Sequence, residues 1–133
     1  AEFRKVHQFN VFTVNTPVQY ALADYMQRPE RHLELAAFYQ RKRDLFRAAM
    51  AESAFELLPS AGTYFQLARY AGVRNCGDQE FVTWLTREIG VAAIPLSAFF
   101  DDGTDERVVR FCFAKNDDTL LAACERLRAI PRR

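Results

Sequence analysis

Apolar side chains keep one spacing up to Ser53 and another after it. In the first part the spacing is helical. Thr16-Pro17-Val18-Gln19 sets a hydroxyl at the N-cap, proline at the first helical position and glutamine at the third, so a helix should start at Pro17 with two orphan amides satisfied. Val18, Leu22, Tyr25 and Met26 form a stripe up to Pro29, and Leu35, Phe38, Tyr39, Leu45, Phe46 and Ala49 resume it. The pattern predicts one long helix, kinked or broken near Pro29 because proline removes an amide donor and crowds the preceding turn. Arg31, Glu34, Arg41, Lys42, Arg43 and Asp44 read as a solvated face, with an anion site the weaker alternative. Residues 3–14 are rich in Val and Phe and strand-like over 9–14, so this part has apolar surface but little nearby sheet to cover it.

After Ser53 strand and helix patterns interleave. Residues 55–58 and 63–68 predict two short strands joined by the turn Pro59-Ser60-Ala61-Gly62. Gly77-Asp78 introduces a helix through Phe81, Val82, Leu85 and Ile89 that Gly90 stops. Residues 91–94 read as a buried strand ending at Pro95, and residues 107–113 as another, separated by the turn-rich run Asp101-Asp102-Gly103-Thr104-Asp105. A last helix starts near Asn116 or Asp117 and buries Leu120, Cys124 and Leu127. The predicted fold class is α/β of an α+β-like kind: a long N-terminal helix, then a small sheet with helices packed on it, in the order β-β-α-β-β-α.

Composition adds limits. Half of the 133 residues are hydrophobic and 14% are aromatic, enough for one domain with a core. The 18 basic and 17 acidic side chains leave a net charge of +1, so no global field draws in nucleic acid or an anionic membrane. Cys76, Cys112 and Cys124 are odd in number and lack C-x-x-C spacing, which suits a reducing cytosol. No leader-like run and no apolar stretch near the roughly 20 residues of a membrane span is present, so the expectation is an untargeted cytoplasmic protein. His7 and His32 lack metal-ligand spacing and read as solvent-facing or capping residues.

Arg110 is the residue whose chemistry stands out. In a strand it shares a face with Val108 and Cys112, while Val109, Phe111 and Phe113 face the other way. A planar guanidinium can grip a carboxylate through two parallel hydrogen bonds. From the residues alone, Arg110 is either such a ligand or an ordinary edge-strand arginine, and Tyr64 and Phe65 are either core aromatics or pocket walls.

Four stretches carry a family resemblance. They are Lys5-Val6-His7-Gln8 followed by Val14-Asn15-Thr16-Pro17 and Gln19; Pro59-Ser60-Ala61-Gly62-Thr63-Tyr64-Phe65, of the form P-x-x-G-x-aromatic-F; the run from Gly90 to Phe99, of the form G-V-x-x-x-P-x-x-x-F; and Val109-Arg110-Phe111-Cys112-Phe113-Ala114. In this order, and over nearly the whole chain, they resemble the C-terminal part of class I/II aminotransferases, which use pyridoxal 5'-phosphate. The resemblance implies that residues 1–16 end a large cofactor domain, 17–53 form an interdomain helix and 54–133 form the small domain, with position 1 internal to a longer parent. It implies that Arg110 binds the substrate α-carboxylate, that Tyr64 or Phe65 shapes the substrate pocket, and that Phe12 reaches across a homodimer into the partner's site. Lys5, Lys42 and Lys115 do not resemble the family's Schiff-base lysine, so no catalytic or cofactor-binding residue is expected here, and no metal ligand. The implied substrates are an amino acid and a 2-oxo acid. Ile94-Pro95-Leu96-Ser97 and Phe111-Cys112-Phe113-Ala114-Lys115 look most like the branch acting on methionine, aromatic amino acids or kynurenine. Two other classes fit the element order: a free-standing α/β ligand-binding module and a structural dimerisation piece.

Overall fold

A computed structural model describes residues 1–133 as two units, Ala1–Ala36 and Ala37–Arg133. Along the chain run α1 (Glu2–Asn10), α2 (Thr16–Tyr25), α3 (Glu30–Leu33), α4 (Leu35–Met50), β1 (Glu56–Leu57), β2 (Phe65–Arg69), α5 (Asp78–Trp84), β3 (Ile94–Pro95), β4 (Val108–Cys112) and α6 (Asp117–Arg128). The last turn of α5 widens into a π-helical segment, Leu85–Ile89, and a 3-10 turn, Leu96–Phe99, follows β3. After α4 the order β-β-α-β-β-α is the predicted one.

The sheet of the second unit is antiparallel throughout, in the order β1-β2-β4-β3. Its alternation separates core from site. Gln66 lies opposite Phe111 and Ala68 opposite Val109, and all four are buried. Phe65 lies opposite Cys112 and Leu67 opposite Arg110, and these four are half-buried on the other face. The helices cover the first face: Phe46 and Met50 from α4, Phe81 from α5 with Leu85 just beyond it, and Leu120, Cys124 and Leu127 from α6 join Phe111 and Phe113 in one core. Full burial of a ring such as Phe81 contributes about 1.5–3 kcal/mol.

Several local expectations shift. The helix at Pro17 is capped one residue earlier: the Asn15 side chain accepts the Val18 amide at 3.2 Å, Thr16 is already helical, and proline falls within the first turn, where no amide partner is needed. The long helix is broken at Pro29, as predicted, and again at Glu34, giving α2, α3 and α4. The strand-like residues 9–14 include the end of α1, a helix supported by a Glu2–Lys5 pair one turn apart. The strand expected over 91–94 is only Ile94–Pro95, which pairs with β4 alone; as an edge strand it tolerates a proline with no amide to donate. His32 is half-buried against Tyr25, not solvent-facing.

The charged face of α4 is also not simply solvated. Lys42 is buried, and its amine donates to the Lys115 carbonyl at 2.8 Å and to the Asp117 carboxylate. Arg43 is half-buried and donates to the Ser60 carbonyl at 3.1 Å, while Arg47 donates to Leu58 O and Gln66 Oε1. These long side chains lay their stems on the core and spend their heads on loop carbonyls that the sheet leaves unpaired.

In the first unit no residue of α1, α2 or α3 is buried. Phe3, Phe9, Phe12, Tyr20 and Leu33 are all strongly exposed, so the apolar stripe predicted to lack a nearby partner is uncovered within this unit.

Candidate functional site

Arg110 sits in the middle of β4, with Leu67 across on β2 and Ile94 across on β3. The edge-strand reading is therefore wrong, because β4 is an interior strand. On its face the guanidinium carbon lies 4.0 Å from the ring centre of Phe65 and 4.6 Å from that of Phe99. Each contact of this kind contributes about 0.5–2 kcal/mol and holds the head group without using its N–H donors. No carboxylate of the chain pairs with Arg110, and its Nε is buried with no hydrogen-bond partner. An unsatisfied buried donor costs about 1–3 kcal/mol, more for a charged group. The arrangement is a cation held by rings, with its directional bonding capacity kept for something else.

Backbone strain brackets the two strands that build it. Thr63 has φ of 64° two residues before Phe65, and Arg107 has φ of 56° just before β4. For non-glycine residues this left-handed region is costly and persists only where surrounding contacts hold it. Gly62 is not the residue in that conformation, so the turn's strain falls on Thr63. Ser60 Oγ bonds to Phe65 O at 3.1 Å, and Arg107 N donates to Asp105 Oδ1 at 2.7 Å, which are two of those contacts.

The structure brings Arg110 and Phe65 together. Tyr64 is 43% exposed and its ring packs on Phe65 and Tyr39, with centres 4.4 and 5.8 Å apart, but it makes no contact of this kind with the guanidinium. Phe12 is in the first unit, where it is 82% exposed. Phe99 is the member that the sequence reading left out, although it ends the G-V-x-x-x-P-x-x-x-F string that was singled out. Its spacing from Pro95 was the available signal, and only folding shows that the ring lands on Arg110.

A Schiff-base lysine must offer an amine that is free and partly shielded from water. Lys5 is exposed and paired with Glu2, Lys42 has its amine tied to Lys115 O and Asp117, and Lys115 lies on an exposed turn. The residues of this chain therefore do not fit pyridoxal phosphate. No group of three or more His, Cys, Asp and Glu side chains is placed to hold a metal ion, and no helix is long and apolar enough to cross a membrane.

Comparison with known proteins gives concordant matches. Residues 1–127 match the family described as aminotransferase class I and II. The chain is 53% identical over 131 residues to a methionine aminotransferase of Escherichia coli, covering 98% of this chain and 34% of that protein. It is 33% identical to a kynurenine–oxoglutarate transaminase of Dictyostelium discoideum, over 91% of this chain and 33% of the relative. A solved Escherichia coli structure, for which a methionine aminotransferase function was identified, superposes with a TM-score of 0.85 at 54% identity, covering 96% of this chain and 34% of that one. The chain thus spans about a third of the length of the relatives it matches.

Proposed function

The chain belongs to the class I and II aminotransferases, and on that premise we propose that it is the substrate-carboxylate part of a pyridoxal-phosphate-dependent transaminase, one that moves an amino group between an amino acid and a 2-oxo acid. The observation that carries the reading is Arg110, ringed by Phe65 and Phe99, with a buried Nε and no acidic partner. Its planar fork matches a carboxylate in two parallel hydrogen bonds, and so fixes both the position and the rotation of the substrate. The two rings exclude water beside the guanidinium, which strengthens the ion pair that forms. Tyr64 and Phe65 border the space where the substrate side chain lies.

In this reading the cofactor is held by residues outside the chain. Residues 1–16 close the large domain, 17–53 connect, and 54–133 form a small domain that moves to shut the cleft. Phe12 reaches the partner's site in a homodimer. Identity to methionine and kynurenine transaminases favours methionine or an aromatic amino acid as the donor, and the three free thiols suit the cytoplasm.

The test is Arg110→Lys in the transaminase that carries this sequence. Lysine keeps the charge and loses the fork, so kcat/KM for amino acids should fall roughly 30-fold to several thousand-fold. Cofactor absorbance should stay normal, and an amine lacking the carboxylate should react as before. A kcat/KM within about threefold of wild type, under about 1 kcal/mol, would remove Arg110 from the site.

A further inference from the structure

Phe99 presents a problem of placement. Its side chain contacts the Arg110 guanidinium, yet the residue is 56% exposed, so core packing does not hold it there. Its position follows from the backbone of the 3-10 turn Leu96–Phe99. That turn is anchored at one residue, Ser97, which is 7% exposed. The Asp78 carboxylate takes both donors of Ser97: the amide bonds to Oδ2 at 2.8 Å and the hydroxyl to Oδ1 at 2.8 Å. Asp78 is 2% exposed and opens α5. A carboxylate buried this deeply is costly unless its oxygens are satisfied, so the turn cannot leave Asp78 without stranding a charge.

A second carboxylate ties the same point to β4. Asp105 Oδ2 accepts the Asp78 amide at 2.9 Å, and its Oδ1 accepts the amide of Arg107, the strained residue at the entry to β4. The turn bearing Phe99 and the strand bearing Arg110 are thereby both referenced to the start of α5. We propose that Asp78 and Ser97 are a positioning pair that holds Phe99 on the Arg110 guanidinium and so sets where the substrate carboxylate is gripped. This rests on the transaminase reading for the identity of the ligand. Neither residue touches substrate; both act through Phe99.

The experiment uses the whole transaminase with para-fluorophenylalanine at position 99, together with Ser97→Ala, Asp78→Asn and Phe99→Leu. In the parent, the fluorine resonance should differ from that of the denatured protein, and Ser97→Ala and Asp78→Asn should each move it toward the denatured value. With unlabelled enzyme, each should raise KM for an amino acid about three- to tenfold, the scale of a lost cation–π contact, with a smaller change in kcat. An amine without a carboxylate should be unaffected. Because Ser97 acts through Phe99, adding Ser97→Ala to Phe99→Leu should raise KM no further. Ser97→Ala removes only the hydroxyl and keeps the backbone bond, so it decides the matter even where Asp78→Asn does not fold. An unmoved fluorine signal in the Ser97→Ala variant, or effects of Ser97→Ala and Phe99→Leu on KM that multiply, overturns the pair. Arg110→Lys run alongside separates the two claims. If it abolishes discrimination for the carboxylate while Ser97→Ala changes nothing, this inference alone fails. If Arg110→Lys is also without effect, the carboxylate reading fails with it.

Discussion

At the scale of single residues, Arg110 shows how a binding site is maintained against stability. Its aliphatic stem and cation are held by Phe65 and Phe99, but the buried Nε has no partner, and that deficit costs about 1–3 kcal/mol in the free protein. A methionine at this position keeps apolar contact with both rings and removes the orphan donor. Arg110→Met should therefore melt no lower than wild type, and up to several degrees higher, while losing the turnover of amino acids. Thermal unfolding of both proteins, without ligand, measures it; a clear drop in melting temperature would mean that Arg110 is a structural residue.

Between elements, two features of the second unit make separable predictions. α4 is tied to the start of α6 by Lys42, whose amine bonds to Asp117 and to the Lys115 carbonyl. Hydrogen bonding from Lys42, helped by its charge and by Arg41, holds the Asp117 carboxyl below its ordinary value of 3.8. A carboxyl lowered by folding stabilises the fold fully above that ordinary value, and the contribution is lost as pH falls through the lower folded one. Lys42→Met should flatten this acid-side loss, so that the wild-type advantage in melting temperature shrinks as pH drops below about 4. At the other end of the same layer, Gly90 ends the π-helical segment after α5 with φ of 75°. A Cβ there would lie 2.6 Å from Arg126 Nη1, but that is the tip of an exposed, flexible side chain and can move away. Backbone strain therefore dominates, and Gly90→Ala should cost about 1–2 kcal/mol in urea unfolding, with Gly90→Asn costing less. Equal losses for the two would point instead to the clash.

At the scale of the whole molecule, the first unit leaves Phe3, Phe9, Phe12 and Tyr20 more than 70% exposed, alongside Val6, Val18 and Leu22 at 50% or more. Apolar surface of that extent usually finds a partner. The 133-residue chain by itself should accordingly self-associate at micromolar concentration, and a well-behaved monomer in sedimentation velocity would contradict this. The interleaved strands and helices after Ser53, the stop at Gly90, the buried stripe Leu120, Cys124 and Leu127, and the alternation that turns Arg110 away from Phe111 were all written in the sequence. Each depends on the local period of the backbone, which a run of side chains reports directly. The motif strings also carried the family. What only the tertiary structure decided is which distant segments meet. The strand order that makes β4 interior, the burial of Lys42 beneath the Lys115 carbonyl, the landing of Phe99 on Arg110 and the closure of Asp78 on Ser97, nineteen residues away, have no periodic trace. A period tells which way a side chain faces along its own element. What it faces is set by strand pairing and by the need of buried polar groups for partners, and both are settled only when the elements pack.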